Sequence, residues 1–448
     1  MQDPSIGVIE SVFFITLVMG LVLGFLFIVL PRRYALVPLI IAACFIPIGG
    51  KLNIAGMNFS MLRLVIACGV VRIAARSEFR AMQWFRIDSL LILWVLVRVF
   101  AFVLLWQSSA ALGNALGYAF DAVGLYLIGR VFLGDTDDVK RLVRMFAIAL
   151  LPVALLMCVE RLHGRDPFYV LGGVPEFPTI REGIIRCQGP FGHAILAGTF
   201  GAVWLPLFVG LWFQGGKDRM LAATGIVSAT IITATSGSSG PIGSYIVGIV
   251  GLAMWSMRRH MRAVRWGVLG STVTLHLIMH DPVWFVFARV DVLSGSTGWH
   301  RAYLIDRAIA NFGDWWLVGC KDVAKWGVWA GDTTNQFIVE GVRGGIITLL
   351  LFVWIFVLGF SYVGLVLKAS RRLPQKSQLF IWAIGTALFA HLVSYMAVSY
   401  FDQNIVNWYL VLAMVAACVR QRKALDRVVK STTSLEVELP VLQLVRPT

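Results

Sequence analysis

Long apolar runs with almost no charge dominate this chain and exclude an ordinary soluble fold. Hydrophobic residues fill 58% of the 448 positions, charged residues only 14%, and the mean hydropathy is +0.79. Apolar stretches of roughly 18 or more residues are typical of transmembrane helices. Because the runs are continuous rather than alternating, they favour helices over a β-barrel. The sequence therefore predicts an all-α polytopic membrane protein.

Thirteen apolar segments can be distinguished along the chain, some of them shorter than this length, and we expect about thirteen transmembrane helices. They cover residues 8–30, 34–49, 59–75, 88–106, 112–133, 145–158, 193–213, 220–235, 240–255, 264–280, 344–367, 379–398 and 404–418. The first run lacks a basic leader and a small-residue cleavage site, so we interpret it as a retained helix rather than a signal peptide.

Basic residues follow every odd-numbered segment, from Arg32 and Arg33 after the first to Arg420 and Arg422 after the thirteenth. The short loops after even-numbered segments carry almost no positive charge. The positive-inside rule then places the N-terminus in the periplasm and the C-terminus in the cytoplasm of a bacterial inner membrane. Most of the net charge of +15 lies in these loops and the tail, so it does not indicate a nucleic-acid partner.

Two long polar loops follow even-numbered segments, at residues 160–192 and 281–343, and both are therefore expected on the periplasmic face. The predicted organisation is an N-terminal transmembrane bundle (1–159), periplasmic loop 1 (160–192), central helices (193–280), periplasmic loop 2 (281–343), C-terminal helices (344–419) and a cytoplasmic tail (420–448). Each loop holds one cysteine, Cys187 and Cys320, which are either bridged or two free thiols.

Arginines at the end of the first loop suggest an anion site. Arg181 and Arg186 precede a Gly-Pro turn and His193, which stands at the mouth of a helix. A guanidinium group offers a planar fork of donors that matches phosphate oxygens, and a helix N-terminus also favours anions. The alternative is a solvated loop that touches lipid headgroups.

The second loop contains a short amphipathic segment at residues 299–312, which we predict to be a helix. Arg301 near its start is a second candidate anion contact; the alternative is a solvated helix face with Asp306 and Arg307. Tryptophans cluster in and after this segment. They indicate either a loop that lies on the bilayer surface or a small folded cap with its own core, and they are Trp299, Trp315, Trp316, Trp326 and Trp329.

The end of the second loop concentrates polar groups against a membrane helix. Asp332, Thr334, Asn335, Glu340 and Arg343 precede Gly344 and Gly345. Such polar density at a helix entry requires partners, either as a functional site or as helix capping by Asp332 or Thr334.

Charged residues inside the predicted spans are candidates for functional sites by default. Arg98 is the most costly of them because it lies mid-span. It either pairs with Asp121 on the following helix or contributes to substrate binding.

These landmarks together resemble the superfamily of O-antigen ligases and O-antigen or exopolysaccharide polymerases. The resemblance covers roughly residues 186–366. It rests on an Arg-x-x-Gly-x-Phe-x-His entry (Arg186 to His193), a Thr-Ser-Gly-Ser-Ser-Gly turn (Thr235 to Gly240), an arginine-led helix at Arg301, and Asn335 with Glu340-Gly341 and Gly344-Gly345.

The resemblance implies a glycosyltransferase of the GT-C type, whose periplasmic loops form a partly helical cap. Such enzymes take a glycan from undecaprenyl diphosphate. Polymerases pass it to a second lipid-linked glycan, and ligases pass it to lipid A–core. Arg186 and Arg301, with Arg181 and Arg343 as further candidates, would bind the diphosphate. Membrane lipids and a chain-length regulator are the other partners this implies.

Two positions depart from the ligase pattern. Thr334 stands where ligases usually carry His before the Asn, and Ser239 stands where the turn often has Arg. The sequence therefore favours a polymerase, with O-antigen ligase as the alternative. Thr334, Asn335, Ser239 and Arg98 are candidate substrate contacts, and the base is left open among Asp332, Glu340 and His193.

The expected chemistry is inverting displacement of the diphosphate without a metal or another cofactor, because no metal-ligand pattern appears. Arginines would stabilise the charge that develops on the leaving group. The main rival function is transport of a lipid-linked oligosaccharide, but the chain lacks the internal repeats that transporters often have. A non-catalytic assembly factor would leave the two arginine-bearing helix mouths without a purpose.

Overall fold

The computed structural model describes residues 4–47, 49, 51–54, 57–286, 297–327, 330, 331, 333–401 and 403–437. Within these residues the chain is 79% helical, with fifteen helices and two small hairpins. The protein is therefore all-α, as the apolar runs predict.

The helices run in chain order as α1 (Pro4–Val29), α2 (Val37–Phe45), α3 (Met61–Ala75), α4 (Arg86–Trp106), α5 (Ser109–Phe132), α6 (Thr136–His163), α7 (Ala194–Trp212), α8 (Lys217–Thr235), α9 (Ser239–Ala253), α10 (Met261–Ile278), α11 (Thr297–Ala310), α12 (Phe312–Trp315), α13 (Gln336–Ala369), α14 (Gln375–Ala397) and α15 (Asn404–Val437). Antiparallel strands β1 (Lys51–Ile54) and β2 (Met57–Ser60) form one hairpin, and β3 (Thr179–Arg181) and β4 (Ile184–Arg186) form the other.

Each of the thirteen predicted segments coincides with one of these helices. Within the part of the chain that the structure describes, seven helical stretches are long and apolar enough to cross a membrane: Arg86–Trp106, Ser109–Phe132, Thr136–His163, Ala194–Trp212, Ser239–Met257, Gln336–Arg372 and Gln375–Ala397. Phe14–Val29 is a shorter apolar helix. The chain is thus a membrane-embedded helical protein, while the count of thirteen spans stays a prediction.

Helix α7 lies at the centre of the bundle, where it packs against α8, α9 and α14. Most of its residues are buried, including the large side chains of Phe200, Trp204 and Phe208. A second group of contacts joins α4 to α13 and α5 to α15. These two contact groups position the polar residues discussed below.

Helix α13 is broken at Gly345, whose φ is +74°. A left-handed backbone of this kind suits glycine because it has no Cβ; a Cβ here would stand 2.2 Å from the carbonyl oxygen of Leu317. Residues of the second loop fill the break. The Ile346 N–H donates to the Trp316 carbonyl, and the Cys320 N–H donates to the Val342 carbonyl, both at 2.8 Å.

The second loop has a small hydrophobic core of its own beside this break. Trp315 and Trp326 are buried in it with Ala308, Ala330 and Val342. Trp299 and Trp316 are exposed, and Trp329 lies outside the described residues. For Trp315 and Trp326 the structure therefore supports the folded cap rather than a loop spread on the bilayer.

Candidate functional site

The hairpin of the first loop carries Arg181 and Arg186. Strands β3 and β4 pair in the register Thr179 to Arg186, Ile180 to Ile185 and Arg181 to Ile184. The hairpin is fixed to the bundle at its end: the Cys187 N–H donates to the Thr235 carbonyl at 3.1 Å, and the Arg161 guanidinium donates to the Ile185 carbonyl. These bonds set the backbone of Arg186 against the C-terminus of α8.

Arg186 reaches from the hairpin to the α8–α9 turn, by which we mean residues 235–240. Its Nη2 donates to the Ser238 Oγ at 2.6 Å. Its Nε is buried and has no hydrogen-bond partner, and no carboxylate pairs with it, among the residues that the structure describes. Burial lowers the pKa of Arg186, and the positive charge of Arg181 lowers it further. Arg186 is thus a cation whose charge this part of the protein leaves uncompensated.

Arg301 from the second loop approaches the same turn. Its Nη2 lies 3.1 Å from the point that a Cβ on Gly240 would occupy; the same point is 3.3 Å from Ala397 Cβ and 3.5 Å from Ile195 Cδ1. The two polar loops therefore meet at one end of the bundle. Arg186 contacts one side of the α8–α9 turn, and Arg301 stands beside its last residue.

The turn ends in the N-terminus of α9, a further feature that favours anions. Helix N-termini carry a partial positive charge and outward-pointing N–H groups. The first turn of α9 has no acidic residue, and Ser238 makes no side-chain capping bond to it. Ser239, a predicted substrate contact, is the first residue of this helix. Two guanidinium groups and a helix N-terminus therefore surround three consecutive residues, 238–240.

Two predicted site residues act as caps of neighbouring helices. His193 Nδ1 accepts the Ile195 N–H at 3.2 Å, which caps α7. Asn335 Oδ1 accepts the N–H groups of Phe337 and Ile338, which caps α13. Of the two residues that we proposed as caps, Thr334 does not cap this helix and Asp332 lies outside the described residues.

These capped ends are close to the α8–α9 turn. Ile195, which His193 caps, is one of the side chains beside Gly240. The Asn335 Nδ2 donates to the Met396 carbonyl at 3.4 Å, and the next residue, Ala397, is another of those side chains. His193 and Asn335 thus lie one residue contact away from the arginines, and half-buried Thr334 adjoins Asn335.

Arg98 and Glu340 belong to a different, buried site, which we call the Arg98–Glu340 cluster. Arg98 Nη1 donates to Glu340 Oε1 at 2.6 Å, and its guanidinium lies 3.7 Å from the centre of the Tyr118 ring. Glu340 also accepts hydrogen bonds from Trp94 Nε1 at 3.2 Å and from Gln336 Nε2 at 2.6 Å. Glu340 is fully buried, so its carboxylate is occupied by these three donors.

The expected pairing of Arg98 with Asp121 is wrong. Asp121 instead binds Arg63 on α3, with an Nη2–Oδ2 distance of 2.7 Å. Helix α4 packs against both α5 and α13, but Arg98 meets Glu340 on α13, while Asp121 on α5 meets Arg63 on α3. Arg343 interacts electrostatically with Arg98, Glu340 and Tyr118 and so belongs to this cluster rather than to the α8–α9 turn.

Two acidic residues that the sequence analysis did not single out support the hairpin. Glu160, in the last turn of α6, is fully buried and accepts the N–H groups of Gln188 and Gly189 at 2.9 Å each. Asp166 is also fully buried; its Oδ1 accepts the Phe168 N–H, and its Oδ2 has no partner within the described ranges. Burial raises the pKa of Asp166 to about 8, and the charge of Glu160 acts in the same direction.

The six cysteines are free, so Cys187 and Cys320 are not bridged. Cys187 is buried behind the hairpin, and burial raises its pKa to about 12. Cys320 Sγ instead lies 3.3 Å from the Asp322 carbonyl oxygen. Among the described residues no group of three or more His, Cys, Asp or Glu side chains could hold a metal ion.

The structure thus brings Arg181, Arg186, Arg301, Ser239, His193 and Asn335 to one end of the bundle and assigns Arg98, Glu340 and Arg343 to another cluster. Ser238 and Glu160 were missed. The Ser-rich turn was visible in the sequence, but nothing there singled out Ser238 within it. A scan against protein-family models finds no match for this chain, and a search of curated proteins also finds none.

Proposed function

We propose that this protein is a membrane glycosyltransferase that uses a polyprenyl-diphosphate-linked glycan as donor and extends a second lipid-linked glycan. One observation carries the proposal: Arg186 and Arg301, which come from different loops and are 115 positions apart in the chain, meet at the N-terminus of α9, where Arg186 has no carboxylate partner among the described residues. A diphosphate supplies the negative charge that Arg186 does not receive from a carboxylate of the described residues, and its oxygens accept hydrogen bonds from guanidinium groups.

The chemistry needs little beyond charge stabilisation and alignment. Displacement at the anomeric carbon breaks the bond to the diphosphate oxygen, and the negative charge that accumulates there is stabilised by the guanidinium groups and the helix N-terminus. The acceptor hydroxyl loses its proton to a base. Of the candidates, His193 caps the helix whose first turn reaches Gly240, whereas the Glu340 carboxylate is occupied by Arg98, Trp94 and Gln336. We propose His193 as the base, with Asp332, which lies outside the described residues, as the alternative.

The finer membrane arrangement is part of the same proposal. Thirteen spans put the N-terminus and both polar loops outside the cytoplasmic membrane, so that transfer takes place on the periplasmic face. The prenyl chain lies in the bilayer beside the bundle, and the second loop covers the sugar. We expect inverting transfer by a GT-C-like fold, without a metal or another cofactor. The similarity of residues 186–366 to O-antigen polymerases and ligases supports the assignment.

The test is reconstitution. Purified protein in liposomes, given undecaprenyl-diphosphate-linked repeat units, is expected to produce a ladder of longer lipid-linked glycans. Arg186→Ala and Arg301→Ala are expected to abolish the ladder while the protein still inserts normally. Arg165→Ala is the matched control, because Arg165 is an exposed arginine of the same loop that already pairs with Glu176 at 2.7 Å.

Other outcomes would replace the proposal. Transfer of preformed glycan to lipid A–core without any ladder would identify a ligase, and translocation of the unchanged donor would identify a transporter. A wild-type ladder from either arginine variant would remove that residue from the diphosphate site.

A further inference from the structure

We infer that Glu160 is a positioning residue for the diphosphate site: it fixes the turn that joins Arg186 to His193. The inference rests on the proposed function, because it assigns Arg186 to the donor. Among the described residues Glu160 contacts neither Arg186 nor Arg301. It lies at the C-terminal end of α6, behind the hairpin. It acts through the backbone of the residues that follow Arg186.

The first step is the contact itself. The two carboxylate oxygens of Glu160 accept one backbone N–H each, from Gln188 and from Gly189, both at 2.9 Å. Hydrogen bonds to an ionised acceptor are stronger than those between neutral groups. A carboxylate that binds two consecutive N–H groups fixes both the position and the direction of the peptide units between them.

The second step is the turn. Gly189 has a φ of +52°, and the Phe191 N–H donates to the Gln188 carbonyl at 3.1 Å. From the other side Gln403 Nε2 donates to the Pro190 carbonyl at 2.8 Å. Residues 188–191 are therefore bonded to α6 on one side and to the start of α15 on the other. Arg186 lies just before this turn, and His193 lies just after it.

The third step is that stability alone does not explain a carboxylate here. Glu160 is fully buried, and no arginine, lysine or histidine pairs with it in the described part of the chain. Burial of an unpaired charge is costly, and apolar replacements of buried charges are often more stable. What the carboxylate adds is geometry, because only two acceptor oxygens can bind both N–H groups. Glutamine retains the shape but offers one acceptor and one donor.

The first experiment measures steady-state kinetics of the reconstituted protein. Glu160→Gln is expected to raise the KM for the undecaprenyl-diphosphate donor by about tenfold or more, as for the loss of a bond worth one power of ten, with little change in the KM for the acceptor. A role in folding alone would lower the amount of active protein and leave the donor KM unchanged. Glu176→Gln is the matched control, because Glu176 is an exposed glutamate of the same loop, paired with Arg165.

The second experiment tests whether Glu160 acts through Arg186. In an Arg186→Gln background the further change Glu160→Gln is expected to raise the donor KM no more, since effects that share one path do not add. Fully additive effects would overturn the inference. Gln403→Leu removes the other bond to the turn, and we expect it to raise the donor KM in the same way. A wild-type donor KM in both Glu160→Gln and Gln403→Leu would also overturn it.

A third readout is independent of any transferase activity. Cys187 is fully buried behind the turn, so alkylation by N-ethylmaleimide, followed residue by residue by mass spectrometry, reports whether the turn is held. Glu160→Gln is expected to speed alkylation of Cys187 about tenfold while half-buried Cys320 reacts as before. If Cys187 becomes reactive but no glycan is transferred by the wild-type protein, the positioning role stands and the proposed function fails. If Cys187 stays protected, the positioning role fails.

Discussion

Arg186 and Arg98 differ in what their surroundings provide. Arg98 is buried against Glu340 at 2.6 Å and stacks on Tyr118. Among the described residues Arg186 donates to the neutral Ser238 and lies near another arginine, Arg181, and it has no carboxylate partner there. Four other arginines resemble Arg98 in having a carboxylate partner: Arg63 with Asp121, Arg72 with Glu78, Arg130 with Asp88 and Arg144 with Asp218.

The difference separates two uses of a costly residue. A buried cation that faces a carboxylate holds two helices in register, and the protein itself satisfies both partners. A cation whose neighbours are neutral or positive attracts an anion from outside. Within the described residues Arg186 thus differs from Arg98 in having no carboxylate partner, and substitutions at the two sites should separate activity from stability.

The largest effect on stability is expected from Glu340→Ala. Arg98 would be left as a buried charge without its partner, and breaking such a pair costs roughly 3–5 kcal/mol. The double variant Arg98→Met/Glu340→Met should recover most of that loss, because it removes both charges. Thermal and denaturant unfolding in detergent measure both. Wild-type stability in Glu340→Ala would show that the pair does not hold α4 to α13.

Arg186→Gln is expected to lower activity strongly and to change stability little. Transfer should fall by about 10²–10³-fold, as when one preorganised donor to a developing oxyanion is removed. Unfolding should stay within about 0.5 kcal/mol of wild type, because no carboxylate partner is stranded. Initial rates and detergent unfolding on the same preparation decide the matter. A large loss of stability would contradict the idea that this cation is kept for a ligand.

Gly345→Ala tests the break in α13, the helix that carries Glu340. An alanine there must adopt a φ near +74° and meets the Leu317 carbonyl oxygen; strain of this kind costs of order 1–3 kcal/mol. Gly364→Ala in the same helix is the control, because a Cβ there meets nothing within 4 Å. That control should be neutral or stabilise by roughly 0.5–1 kcal/mol. Equal effects of the two changes would contradict the described break.

The last prediction concerns how the free energy of unfolding changes with pH because of Asp166. The Asp166 pKa rises from 3.8 to about 8 on folding, so between these values the folded state binds more protons than the unfolded state. The free energy of unfolding therefore falls as pH rises through this window, by at most about 1.4 kcal/mol per pH unit. Asp166→Asn should reduce this slope, and Asp137→Asn, at an exposed aspartate paired with Lys140, should leave it unchanged. Unfolding measured from pH 4 to 8 gives both slopes.

The helices could be read from the sequence because hydropathy is a local property. The presence of both polar loops at one end also followed from the alternation of basic residues between segments, and the structure places Arg186 and Arg301 at a common turn. Neither prediction depends on which helices pack against each other. That is why the positions of the elements were predictable while their partners were not.

Contacts between residues far apart in the chain could not be predicted from the sequence. Asp121 was chosen for Arg98 because their helices adjoin in the chain, but Glu340, 242 positions away, lies on the helix that packs against α4. Glu160 was assigned to the start of a loop, since nothing in its neighbours reveals that α6 continues to His163 and that two N–H groups from residues 188 and 189 fold back on it. Such contacts depend on packing between distant segments.

The break at Gly345 also constrains how the second loop can move. Its backbone is bonded to α13 on both sides of the break, through Ile346 and Trp316 and through Cys320 and Val342. Separating this edge of the loop from α13 would break both hydrogen bonds and leave two N–H and two C=O groups without partners. We therefore expect this edge to move together with the helix. We then expect an opening of the second loop for a bulky molecule at its other edge, where α11 brings Arg301 to Gly240.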